Sequence, residues 1–211
     1  MISPAFHTLH RSIRAGRVSE VVLRGGRGST KSSFASVEVL LQLLSNRQCH
    51  AAVIRKVKAT LRTSVYAQMR WAVSALGLDE QFDCSVNPMQ MVYKPTGQTV
   101  FFFGLDDAGK LKSIKTPFGY IGILWFEELD QYDGPEEIRS VEQSVLRGGS
   151  YSFVMKSFNP PKSPRNWTNT YCRERKKGRV VHHSTYLTTP PDWLGERFLI
   201  AFTLPRFSFS H

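Results

Sequence analysis

The stretch from Val21 to Ser33 constrains the fold of this chain more than any other part of the sequence. Its first three residues are apolar and predict a short strand, and a helical pattern begins at Lys31. The loop between them contains three glycines: Gly25, Gly26 and Gly28. Residues 25–32 fit the spacing G-x-x-x-x-G-K-[ST] of a phosphate-binding loop, except that Thr30 stands where the second glycine is usual.

The residue types of this loop suit a polyphosphate. Glycines let the backbone curl so that successive N–H groups converge, and the start of the helix adds unpaired N–H groups and its positive dipole end. Lys31 is expected to reach the β- and γ-phosphates, and the Ser32 hydroxyl is expected to ligate Mg²⁺. The predicted nucleotide-binding residues, with ATP as the expected ligand, are Gly25, Gly26, Arg27, Gly28, Ser29, Thr30, Lys31, Ser32 and Ser33.

Thr30 counts against the usual shape of such a loop. A β-branched residue disfavours positive φ, which the glycine at this position normally adopts. The alternative interpretation is a glycine-rich turn between a strand and a helix that binds nothing.

Chain length, hydrophobic content and charge limit the class of protein to which the chain can belong. With 211 residues, of which 41% are hydrophobic, the chain can form one large α/β domain. No apolar run approaches the roughly 20 residues of a membrane span, no secretory leader is recognised, and three widely spaced cysteines suit a reducing cytoplasm. The net charge of +11 favours a polyanionic partner, most simply nucleic acid, although a generic basic surface would have the same charge.

Strand and helix patterns alternate along the chain. Strands are predicted at residues 21–23, 51–54, 91–94, 99–103, 120–126, 151–157 and 179–183, and helices at 31–45, 60–77 and 133–146. The polar, basic segment 165–177 is predicted as a helix or a loop, and residues 1–17 are a basic amphipathic stretch. This alternation predicts an α/β fold with a mostly parallel central sheet and helices on both faces.

Two carboxylates follow the apolar strand at residues 120–126. Glu127 and Glu128 are expected at the C-terminal edge of the sheet, where α/β proteins bind ligands. Glu127 would hold Mg²⁺, and Glu128 would polarise the attacking water as general base. Their side chains are expected to alternate across the strand, which suits two roles. The alternative is a strand that simply ends in two solvated acids.

The next strand ends within residues 157–160, a segment that contains Ser157 and Asn159. A polar residue there can contact the γ-phosphate or its water, although a proline-terminated strand with an Asn turn explains the same residues. His182 and His183 could suggest a metal pair, but neighbours on a strand point to opposite faces, which favours core or surface histidines.

Six short motifs follow one another along the chain, at residues 25–32, 54–65, 112–115, 125–130, 146–149 and 157–161. In this order they resemble the ATPase half of a tailed-phage terminase large subunit, of the branch carried by prophages of Gram-positive bacteria. The resemblance implies a P-loop NTPase fold of the additional-strand (ASCE) type, with Walker A at residues 25–32. It also implies Walker B at Glu127, the catalytic acid at Glu128 and a coupling motif at residues 157–159.

The same resemblance implies a function. Such proteins use ATP and Mg²⁺ in a ring-shaped motor that drives double-stranded DNA into an empty capsid through the portal protein. The expected partners are therefore double-stranded DNA, the portal protein, the terminase small subunit and further copies of the chain, in the cytoplasm of the bacterial host and without a membrane.

Basic residues within these motifs acquire expected roles. Arg27 would stabilise charge on the transferring phosphoryl group, which makes Arg27, Lys31 and Glu128 the expected catalytic set. Arg55 and Arg62 would brace the nucleotide or a neighbouring subunit, although exposed charges explain them equally well. Lys115, like Lys112, would act across a subunit interface or on DNA.

The resemblance breaks down near the end of the chain. Family members carry a ribonuclease-H-like nuclease domain, whose metal site needs several carboxylates. Only three acids follow residue 170: Glu174, Asp192 and Glu196. We therefore expect a basic segment at 1–17, an ATPase domain at 18–200, an atypical tail at 201–211 and no nuclease activity. The alternatives are an inactive prophage remnant that binds nucleotide only, and a helicase-like DNA-stimulated ATPase.

Overall fold

The architecture is an eight-stranded sheet with helices on both faces. The computed structural model describes residues 2–107, 114–195 and 197–198, so the expectations for Lys112 and for the tail at 201–211 lie outside the described residues. The strands are β1 Glu20–Gly25, β2 Cys49–Arg55, β3 Phe82–Val86, β4 Met89–Tyr93, β5 Gln98–Gly104, β6 Tyr120–Glu127, β7 Phe153–Phe158 and β8 Arg179–Ser184. The α-helices are α1 His7–Arg14, α2 Lys31–Ser45, α3 Ala67–Ala75, α4 Pro135–Val145 and α5 Trp167–Tyr171. Within the described residues, no helix combines the length and apolar character needed to cross a membrane.

The strand order places β7 between β1 and β6. The full order is β3-β4-β5-β2-β6-β7-β1-β8, in which every neighbouring pair from β5 to β8 is parallel and β3, β4 and β5 pair antiparallel. In the additional-strand class, one strand lies between the strand that precedes the phosphate loop, here β1, and the strand that ends at the acidic residues, here β6. β7 occupies that position, so the predicted fold is confirmed. The carboxyl ends of β1, β6 and β7 meet at one edge, which brings together the residues that follow them.

Side chains that alternate along the strands fill a core on each face. On β6, Trp125 is fully buried in the core formed with α1, α2 and α3, whereas Phe126 is fully buried in the core formed with α4 and α5. Because the direction of strand side chains has a period of two, Glu127 lies on the face of Trp125, which α2 covers. The position of this carboxylate therefore follows from the packing of β6.

The basic amphipathic segment at the N-terminus is helical over α1 and belongs to the domain core. Phe6, Leu9 and Ile13 are buried in the same core as α2. Arg11 and Arg14 remain exposed on the other side of α1. The segment therefore adds apolar packing to the domain as well as surface charge.

One local prediction is wrong, and one strand was not predicted. The helix expected at 60–77 is α-helical only over Ala67–Ala75, because Arg62–Tyr66 forms a π-helical turn and Thr60 ends a 3₁₀ turn. The sequence pattern also missed β3, which pairs with β4 as an outer hairpin. Phe82 is the only buried residue of β3, so the strand lacks the apolar alternation that identifies a strand from sequence.

Candidate nucleotide-binding site

The loop after β1 adopts the curled shape that the spacing predicts. Gly28 and Thr30 have positive φ values of 73° and 55°, and α2 begins at Lys31. The Thr30 carbonyl accepts a 2.9 Å hydrogen bond from the Phe34 amide, which makes Thr30 the cap residue of α2. A left-handed β-branched residue costs about 1–2 kcal/mol, and this conformation persists because the strand and helix on either side fix the loop. Thr30 therefore does not prevent the phosphate-loop shape.

A cavity of about 340 Å³ lies against this loop. Its lining residues are Gly26, Arg27, Gly28, Ser29, Thr30, Lys31, Ser32, Ser33, Asn159, Trp193 and Leu194. All the predicted nucleotide-binding residues except Gly25 are in this set, and Gly25 is the last residue of β1. Backbone N–H groups, hydroxyls and two cations therefore surround a space suited to phosphate groups.

Lys31 crosses from the loop to the end of β7. Its Nζ donates a 2.6 Å hydrogen bond to Asn159 Oδ1. Burial lowers the pKa of Lys31, and the carboxylates of Glu127 and Asp130 partly offset that effect. The predicted phosphate-binding lysine and the predicted coupling residue Asn159 are therefore in direct contact.

Glu127 is held in a half-buried position beside two cations. Arg55 Nε lies 3.3 Å from Glu127 Oε2, within ion-pair distance, but that oxygen accepts no hydrogen bond from the protein. Burial raises the pKa of Glu127, while the charges of Arg55 and Lys31 act to lower it. A buried carboxylate oxygen without a donor is suited to a cationic ligand.

Glu128 does not continue the strand as expected. Its φ of 54° turns the chain out of β6, and its carboxylate forms an ion pair with the Nη2 of Arg55. The prediction that Glu127 and Glu128 point to opposite faces is therefore wrong, because the left-handed turn brings both carboxylates to one guanidinium.

Arg55 is buried and contacts both acids and the turns before α3, so it is not an exposed charge. It ends β2, is 6% exposed, and donates hydrogen bonds to Ser64 Oγ and, at 3.4 Å, to the Thr60 carbonyl. The turns before α3 therefore fix its guanidinium against the two acids. Arg62 and Lys115 are both exposed and are not among the residues that line the cavity.

Other predicted residues lie in different surroundings. Arg27 is exposed at the cavity, whereas Ser157 is buried and its Oγ accepts a 2.9 Å hydrogen bond from Trp125 Nε1. His182 packs against Phe6 and His183 is exposed, as expected for core and surface histidines. In the described part of the chain, no group of three or more His, Cys, Asp or Glu side chains is arranged to hold a metal ion.

Sequence reasoning missed three contributors to the site. Asp130, in a 3₁₀ turn after β6, lies close enough to influence the charge of Lys31. Trp193 and Leu194 line the cavity from the segment that follows β8. The position of Asp130 within the acidic motif was a usable signal, but nothing local marks Trp193 as part of a site that begins far earlier in the sequence.

The family model for the phage terminase large subunit matches residues 18–200 of this chain. The chain belongs to the phage terminase large subunit family. It is 34% identical to the terminase large subunit of Bacillus phage SPP1 over 195 residues, which cover 89% of this chain and 46% of that protein. It is 31% identical to the PBSX phage terminase large subunit of Bacillus subtilis strain 168, over 75% of this chain and 35% of that protein. The chain therefore spans less than half the length of these relatives.

Solved structures of phage packaging proteins share the fold. The large terminase of a thermophilic bacteriophage matches with a TM-score of 0.76 at 12% identity, over 96% of this chain and 50% of that one. The complex of that terminase with ADP matches with a TM-score of 0.70 at 14% identity, over 95% of this chain and 49% of that one. The N-terminal domain of the DNA packaging ATPase from bacteriophage phi29 matches with a TM-score of 0.61 at 13% identity, over 84% of this chain and 95% of that one.

Proposed function

We propose that this chain is the ATPase domain of a viral DNA-packaging motor, which hydrolyses ATP to drive double-stranded DNA into a procapsid. The observation that carries the proposal is the convergence of Lys31, Glu127 and Glu128 at one edge of an additional-strand sheet. Membership of the terminase large subunit family and the thermophilic phage terminase solved with ADP support a nucleotide at this edge.

Some residues of the site would bind the nucleotide, and others would take part in the hydrolysis step. The loop amides and Lys31 would hold the β- and γ-phosphates, and Arg27 would offset negative charge on the transferring group. Glu128 would take a proton from the attacking water. Glu128 is paired with Arg55 in the structure, so the proposed base lies beside a fixed guanidinium.

Ser32 and Glu127 would hold Mg²⁺. The fit rests on the chemistry of the two groups, since Ser32 lines the cavity and Glu127 Oε2 is buried without a hydrogen-bond donor. Hydroxyl and carboxylate oxygens are the donors that Mg²⁺ prefers. The ion would neutralise charge that develops on the phosphate oxygens.

The positive charge supports DNA as the polymer that is moved. A net charge of +11 is enough for salt-dependent binding that does not read sequence. We infer further that copies of the chain assemble in a ring on a portal protein, in contact with a small subunit, in the cytoplasm of the bacterial host. Nuclease activity is not expected of this chain.

ATP turnover measured with and without duplex DNA and Mg²⁺ tests this proposal. We expect Mg²⁺-dependent hydrolysis that Glu128→Gln slows, and DNA binding that fades between about 50 and 200 mM salt. Nucleotide binding without turnover would instead support a binding-only remnant. Nicking of a supercoiled plasmid by the pure protein would contradict the expected lack of nuclease activity.

A further inference from the structure

The segment that follows β8 is fixed against the phosphate loop. Thr189 Oγ1 donates a 2.8 Å hydrogen bond to the Gly28 carbonyl. A Cβ atom on Gly28 would lie 3.2 Å from Leu194 Cδ2 and 2.6 Å from Phe198 Cζ, so a larger residue would have to displace these side chains. The loop and the segment therefore hold one another in a defined position.

This segment directs one aromatic side chain toward the nucleotide cavity. Trp193 lines the cavity and is 46% exposed, whereas the adjacent Leu194 is 9% exposed. Among the described lining residues, Trp193 is the only aromatic one, and most of the others offer backbone amides, hydroxyls or charge. The cavity thus has a polar region suited to phosphates and an exposed indole.

The topology gives the direction in which a nucleotide would extend. β7 and β8 flank β1 on opposite sides, with Asn159 following β7 and Trp193 in the segment after β8. Lys31 contacts Asn159, so the terminal phosphates belong on the β7 side. The nucleoside would then lie on the β8 side, toward Trp193.

We propose that Trp193 stacks on the base of the bound nucleotide. This inference rests on the proposed function, because it requires a nucleotide on the loop. A base stacked on an aromatic side chain gains affinity through its π-face, and every base offers such a face. Trp193 is therefore a binding residue for the nucleobase, separate from the groups that hold the phosphates.

Calorimetric titration of ADP and of inorganic tripolyphosphate into the whole chain tests this assignment. Trp193→Ala should weaken ADP binding by about tenfold, the size of one lost base–aromatic stack, and leave tripolyphosphate binding unchanged. Trp193→Phe should recover most of the ADP affinity. Trp71→Ala is the matched control, since Trp71 is 43% exposed on α3 and does not line the cavity.

The two ligands separate this inference from the proposed function. Unchanged ADP affinity in Trp193→Ala, with both ligands bound by the wild type, would overturn the stacking and leave the nucleotide site intact. Equal weakening of both ligands would also overturn it, because Trp193 would then act through the shape of the loop. Failure of the wild type to bind either ligand would overturn the proposed function together with this inference.

Discussion

Lys31 Nζ donates a 2.6 Å hydrogen bond to Asn159 Oδ1, across 128 positions of sequence. The amide oxygen thus accepts a hydrogen bond from the ammonium group that is expected to contact the phosphates. A phosphate bound by Lys31 would share this ammonium group with Asn159, which joins the loop after β1 to the end of β7. The contact therefore gives the end of β7 a direct means of responding to nucleotide.

Substitutions of these two residues should differ in their effect on nucleotide affinity. Lys31→Ala should weaken nucleotide binding by about 100-fold, as expected for the loss of two charge-assisted hydrogen bonds. Asn159→Ala should keep the affinity for ADP or raise it, because a competitor for the ammonium group is removed. Titration with a fluorescent nucleotide measures both, with Lys94→Ala, exposed after β4, as control. Wild-type affinity in Lys31→Ala would contradict the assignment.

Glu127 and Glu128 should differ in their effects on turnover. Glu128→Gln should keep nucleotide binding and slow hydrolysis by about 100-fold or more, because it removes the proposed base. Glu127→Gln should raise the Mg²⁺ concentration that turnover requires. Steady-state hydrolysis at varied Mg²⁺ measures both effects. Equal, mild losses in the two variants would show that the roles are not divided in this way.

Arg55 should control the acidic limit of activity. Burial raises the pKa of Glu127, and Arg55 is one of the two cations that oppose this rise. Removing that cation in Arg55→Ala raises the pKa further, so Glu127 is protonated at a higher pH. The acidic limb of the kcat/KM profile, which reports the free enzyme, should therefore move to higher pH. Arg62→Ala, at an exposed position nearby, should leave the limb in place, and an unmoved limb in Arg55→Ala would exclude this coupling.

Glu20 is the centre of a buried charge cluster on the α4 side of the sheet. Its carboxylate accepts hydrogen bonds of 2.7–2.8 Å from Lys156, Lys176 and Arg179. Burial raises the pKa of Glu20, but these cations outweigh burial and the pKa falls from 4.5 to about 2. A group with a lowered folded-state pKa stabilises the fold above its unfolded value, and loses that contribution as pH falls toward the folded value.

Glu20→Gln should therefore lower the free energy of unfolding by about 3 kcal/mol at neutral pH, because the fully buried Lys156 then loses one of its two carboxylate partners, Glu20 and Glu142. The variant should also lose part of the fall in stability between pH 4.5 and about 2. Urea unfolding across this range measures both quantities. Glu136→Gln removes an exposed partner of Arg139 and should change stability by no more than about 1 kcal/mol. Equal effects of the two substitutions would contradict the central role of Glu20.

The phosphate loop shows how much of the local structure a sequence pattern can predict. The spacing from Gly25 to Ser32 predicted a strand, a loop and a helix, and all three are present, because glycines and a helix start impose that geometry locally. The apolar run that ends at Glu127 likewise predicted β6 and the edge at which its carboxylate lies. Thr30 alone would have argued against the loop shape, and only the flanking elements decided that it adopts positive φ.

The sequence by itself determined the class of fold, the order of most elements and the residues proposed to carry the chemistry, because periodicity and motif spacing are properties of neighbouring residues. Only the tertiary structure decided which of those residues meet. The pairing of β2 with β6 places Arg55 against Glu127 and Glu128. Asn159, after the inserted strand β7, contacts Lys31. Trp193 lines the cavity at the loop from the segment after β8. These contacts depend on strand order and on a left-handed turn at Glu128, and both are set by the packing of the whole sheet and not by any local pattern.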